Sequence, residues 1–100
     1  MNTIKNQSQY IIIQGRDFLK DVKKIMKGGE SSILKDIQRT FDELKQDPYT
    51  KRPKVDIKLI SSRKDATYRV RLGKYRLIYE IDEATKTIYV TMFFIRGKGY

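Results

Sequence analysis

A chain of 100 residues carrying 22 Lys and Arg against 12 Asp and Glu, with a formal charge of +10 and 39% hydrophobic content, is sized for one domain over residues 1–100 with one modest core. It has no Cys and no His. That excludes disulfides, thiolate chemistry and the commonest ligand of zinc, copper and iron, so no cofactor or metal is expected, and acid or base work falls to shifted Lys, Tyr or carboxylate groups.

The opening MNTIKNQSQY is polar where a signal peptide needs its apolar stretch. No apolar run approaches the roughly 18 residues that cross a bilayer, so a cytoplasmic protein without a membrane partner is expected. Residues 10–14 are β-branched and apolar up to Gly15 and predict a strand. Over residues 16–27, Phe18, Leu19, Val22, Ile25 and Met26 recur at helical spacing, and Gly28-Gly29 supplies a stop. Ser31 or Ser32 is placed to cap a second helix whose stripe is Ile33, Leu34, Ile37, Phe41 and Leu44, ended at Asp47-Pro48. The two helices form a hairpin. Residues 47–66 read as a basic connection with a short extended piece at 55–60.

The last third predicts strands at 68–72, 75–82 and 87–95, joined by the two-residue turn Gly73-Lys74 and by residues 83–86. The fold class is therefore α+β: an N-terminal strand and a two-helix hairpin packed on a C-terminal antiparallel three-stranded meander. Strict alternation turns Val70, Leu72, Leu77, Tyr79, Ile81, Ile88, Val90 and Met92 to the core. Arg69, Arg71, Arg76, Ile78, Glu80, Tyr89, Thr91 and Phe93 take the other face.

Residues 51–100 hold 13 basic and 5 acidic residues against 9 and 7 in residues 1–50, an excess that predicts a polyanionic partner. Arg71 directly opposite Arg76 is destabilising in itself. One explanation is a solvated sheet face whose charges discourage aggregation. The other is a surface for phosphates and bases, made of three guanidinium groups beside aromatic rings. Arg96, Lys98 and Tyr100 leave the last strand toward the same rim. Glu80, about four residues or roughly 13 Å along its strand from Arg76, serves charge balance. Lys23, Lys24 and Lys27 are the solvent side of a helix, and residues 51–54 are loop.

The run YRVRLGKYRLIYEID at positions 68–82, with KLISSRKDATY at 58–68 leading into it, resembles the central hairpin of the RelE/ParE toxin superfamily. The order of strand, two helices and meander is similar too. The resemblance implies the toxin of a type II toxin–antitoxin pair, with a cognate antitoxin as partner. Its RelE branch cuts mRNA in the ribosomal A site, inhibiting translation, and carries basic residues on the hairpin strands and after the last strand, with a nearby tyrosine. Carried onto this chain, that pattern falls on Arg69, Arg71, Arg76, Arg96, Lys98 and Tyr100.

The implied protein is a metal-independent, ribosome-dependent endoribonuclease with mRNA and the ribosome as partners. Arg71, Arg76, Lys98 and Tyr100 would be catalytic, and Arg69, Phe93, Arg96 and Tyr89 would contact RNA. RelE has lysine where this chain has Arg69 and Arg71, and arginine cannot act as a base, so Tyr100 and Lys98 are the candidate proton acceptors. The alternatives are a ParE-like toxin acting on DNA gyrase, a branch that generally lacks this residue set, and a non-catalytic basic RNA-binding module.

Overall fold

The computed structural model describes residues 9–62 and 66–97. In chain order they form β1 (Ile11–Gln14), α1 (Arg16–Lys27), α2 (Ile33–Gln46), β2 (Ile57–Ser61), β3 (Thr67–Leu72), β4 (Tyr75–Asp82) and β5 (Thr87–Ile95). One five-stranded sheet runs β1-β5-β4-β3-β2, with β1 parallel to β5 and every other pair antiparallel. The expected α+β architecture is present, with one strand more in the meander. Residues 57–61, the extended piece of the basic connection, pair with β3 and make the far edge of the sheet.

The helices cover one face. Phe18 and Val22 of α1 and Ile33, Ile37, Phe41 and Leu44 of α2 are buried against Val70, Leu72, Leu77, Tyr79, Ile88 and Val90. Leu19 and Leu34 share the helical spacing but not the burial. Both stay exposed, because the sheet reaches only one side of the hairpin, and they line a groove between α1 and α2.

The start of α2 differs from expectation. Ser32 has helical backbone angles and makes no capping bond with its side chain; the first amides instead close three-residue turns, Ile33 onto Glu30 and Leu34 onto Ser31. At its other end Asp47 is extended, as a residue before proline must be. Arg52 gathers the carbonyls there, donating to the backbone oxygen of Glu43 (2.9 Å), which also accepts the Asp47 amide, to that of Asp47 (3.1 Å) and to the Glu43 carboxylate. That basic loop residue is thus a helix clip.

The main correction concerns β5. Tyr79 faces Val90 but Ile78 faces Met92, so Thr91 is an extra residue, a β-bulge whose hydroxyl donates to the Ile78 carbonyl at 3.3 Å. Beyond the bulge the alternation inverts: Met92 is exposed and Phe93 enters the core at 1% exposure. The Phe93 ring stacks on Tyr75 at 5.1 Å and meets Phe18 edge-on at 5.9 Å. Phe93 therefore cannot be a surface residue that contacts RNA.

Candidate nucleic-acid interface

The tight β3–β4 hairpin determines which side chains meet. Gly73 supplies the positive φ, +60°, that the two-residue turn demands, and the register then sets Arg71 opposite Arg76 and Arg69 opposite Ile78. Across the face away from the helices the pairing gives three rows. The first runs Arg71, Arg76, Phe94; the second Lys58, Arg69, Ile78, Met92; the third Thr67, Glu80, Tyr89.

Three predicted residues, Arg69, Arg71 and Arg76, are thus brought together in adjacent rows. Arg96 joins their end of the sheet, since its amide donates to the Lys74 carbonyl at 2.7 Å, beside the hairpin turn. Tyr89 is on the same face and 39% exposed, but lies at the opposite end, across from Glu80. Lys98 and Tyr100 lie outside the described residues. Phe94, one position beyond Phe93, takes the place opposite Arg76 that alternation had given to its neighbour.

Two residues of the connection complete the cluster. Asp56, just ahead of β2, accepts the Arg71 amide on its backbone oxygen and holds its carboxylate 3.3 Å from the Arg71 guanidinium, 3.8 Å from that of Arg69 and 3.6 Å from the Lys51 ammonium. Burial pushes the Asp56 carboxyl up, but the hydrogen bond from Arg71 and the charges of Lys51, Arg69 and Arg71 outweigh it and hold the group below the usual carboxylate value. Arg69 is only 9% exposed, and its Nη1 is buried with no hydrogen-bond partner among the described residues. The sequence pattern passed over Asp56 because it sits in a loop; its one signal was being an acidic residue inside the run KRPKVDIK.

The face can bind oxyanions, since guanidinium forks match phosphate geometry, and Phe94 beside Arg76 sets an aromatic ring next to that charge. Among the described residues no group of three or more acidic side chains could hold a metal ion, and no helix is long and apolar enough to cross a membrane.

A second polar cluster lies at the other end of the sheet. The Glu83 carboxylate accepts from the hydroxyls of Tyr10 (2.8 Å) and Tyr49 (2.6 Å) and from Lys86. These bonds, the one from Lys86 foremost, bring Glu83 down to about 2. Burial and the Glu83 carboxylate push Tyr10 and Tyr49 up, so both phenols keep their protons.

Three solved structures share the fold. The archaeal RelE–RelB complex of Pyrococcus horikoshii OT3 is similar at a TM-score of 0.72 and 23% identity, over 91% of this chain and 99% of that one. The toxin–antitoxin complex RelBE2 of Mycobacterium tuberculosis is similar at 0.69 and 21%, over 88% and 99%. A metal-bound toxin of Helicobacter pylori is similar at 0.68 and 16%, over 91% and 99%. No curated protein sequence matches the chain. Residues 12–97, from β1 to just past β5, match the family described as ParE toxin of type II toxin–antitoxin system, parDE. The chain therefore belongs to the ParE toxin family, within the RelE/ParE superfamily of type II toxins.

Proposed function

We propose that this toxin is a ribosome-dependent endoribonuclease that cleaves mRNA in the A site and stops translation. The observation behind this reading is the gathering of Arg69, Arg71 and Arg76 on one sheet face beside Phe94, with Arg96 at the same end. In the reaction the ribose 2′-hydroxyl loses its proton and attacks the adjacent phosphorus. The P–O5′ bond breaks, leaving a 2′,3′-cyclic phosphate and a 5′-hydroxyl that takes up a proton. Arg71 and Arg76 hold the phosphate in line and neutralise the charge that grows on its oxygens. Arg69 shares that phosphate with Arg71, Arg96 binds a neighbouring one, and Phe94 replaces Phe93 as the ring for a base.

Proton transfer is assigned to Tyr100 or Lys98, since arginine is no base and Asp56 is made a weak one by the cations around it. The antitoxin partner presents an acidic segment that neutralises the basic face, so the bound toxin is inactive.

In a reconstituted translation reaction, primer extension should map cuts confined to translated codons of a defined mRNA. Arg76→Ala should lower the cleavage rate by about 10²–10³, the cost of losing one donor to a developing oxyanion, with its far-ultraviolet dichroism unchanged. Undiminished cleavage by the folded variant would remove Arg76 from the site.

The family match itself favours a second reading, in which the toxin acts on DNA gyrase. Inhibition of gyrase supercoiling, with no cut in translated mRNA, would establish that reading. Binding of RNA without either activity would leave a binding module.

A further inference from the structure

We propose that Asp56 is a built-in counter-ion that sits in the phosphate seat of the arginine face and must be displaced for a nucleic-acid phosphate to enter. The inference deepens the proposed function and rests on its assignment of Arg69 and Arg71 as phosphate ligands. One carboxylate is shared by three cations, Arg71 at 3.3 Å, Lys51 at 3.6 Å and Arg69 at 3.8 Å. All three distances exceed the roughly 2.7–2.9 Å of a good charge-assisted bond, so the carboxylate bridges the cations without satisfying them. Among the described residues, two positive charges remain uncompensated around this single anion. Arg69 carries a sign of an unfilled seat, because its Nη1 is buried and has no hydrogen-bond partner among the described residues.

A phosphodiester brings two unesterified oxygens and can bond to two guanidinium groups at once. It therefore makes the bonds that Asp56 makes poorly. Displacement needs little motion of the main chain, for the Asp56 backbone oxygen stays with the Arg71 amide while the side chain swings toward Lys51 and solvent. The carboxylate also keeps Arg71 from repelling Arg76 unopposed in the unliganded protein, and it sets a threshold that weak or isolated anions do not pass.

Asp56→Asn keeps the shape and removes the charge. For a fluorescent hexauridylate RNA, and for tripolyphosphate as a base-free probe, the variant should bind on the order of tenfold tighter at low salt, the effect of deleting one like charge beside the seat. Its binding should also depend more steeply on salt. In the wild-type protein the phosphate displaces Asp56, whereas in the variant it displaces anions drawn from solution, and their release steepens the fall of log K with log salt.

Equal affinity and equal slope in the two proteins, with both weakened by Arg71→Ala, would overturn the counter-ion and leave the arginine seat standing. Failure of either probe to bind either protein would overturn the seat, and the counter-ion with it. An independent measurement needs no variant: on saturating wild-type protein with tripolyphosphate, the Asp56 carboxyl carbon resonance should shift together with the Arg71 Nε–H resonance. A shift of Arg71 alone would overturn the proposal.

Discussion

Phe93 and Phe94 are chemically the same and adjacent in sequence, yet the bulge gives them opposite duties. Phe93 is wedged between Tyr75 of β4 and Phe18 of α1, while Phe94 stands opposite Arg76 on the outer face. Truncating a buried phenylalanine costs about 3–5 kcal/mol, a large share of the roughly 5–15 kcal/mol that holds a domain together. Phe93→Ala should therefore lose about 3–5 kcal/mol of its stability to urea, read as a lower denaturation midpoint at unchanged slope. Phe94→Ala should keep its stability to within about 1 kcal/mol and weaken hexauridylate binding by about 1–3 kcal/mol, the worth of one stacked base. If Phe93→Ala denatured like the wild type, the inverted alternation after Thr91 would be wrong. The sequence could not separate the pair, because in the run TMFFI four apolar residues in succession carry no polar mark to show which parity is buried.

At the scale of elements, the bulge is held by a contact that no strand pattern announces. β1 pairs with β5 only as far as Val90, after which the chain turns at Gly15 into α1 and leaves the next stretch of the β5 edge without a strand. Asp21, one turn along α1 from Phe18, fills that gap by accepting the Phe93 amide at 3.1 Å. Asp21→Ala leaves a buried amide unsatisfied and should cost about 1–3 kcal/mol. It should also speed hydrogen exchange at Phe93 while amides at the β4–β5 turn end keep their protection; unchanged exchange at Phe93 would show the contact to be idle.

Elements with a local cause were legible from sequence. Phe18, Val22 and Ile37 announce helices by spacing, and Gly73-Lys74 announces a hairpin whose register follows from turn length alone. The rows containing Arg69, Arg71 and Arg76 could be deduced for that reason. The extended piece at 55–60 was legible, but its pairing with β3, like the bulge and the placing of Asp56 against two arginines, depends on contacts between strands that no fixed-length turn dictates.

Viewed whole, the sheet keeps its arginine rows at one end and its fastening at the other. The arginine rows adjoin the β3–β4 turn, whereas Glu83 in the β4–β5 turn joins three parts of the chain: Tyr10 ahead of β1, Tyr49 after α2, and Lys86 across its own turn. The sign of its pH dependence follows from the direction of each shift. Glu83 is lowered on folding from about 4.5 to about 2, so its contribution is complete above about pH 4.5 and is lost as pH falls through about 2. Tyr10 and Tyr49 are raised from 10, so theirs is complete below pH 10 and is lost as pH rises through the higher folded values. The fastening should thus be at full strength from about pH 4.5 to 10. Glu83→Gln removes the charge that sets the acid limit, and its melting temperature should fall less steeply between pH 4.5 and 2 than that of the wild type. Because Glu83 is remote from Arg76, the same variant should bind hexauridylate RNA with wild-type affinity at pH 7. A matching loss of RNA affinity would mean that the two ends of the sheet are coupled and that the fastening helps to hold the arginine rows in register.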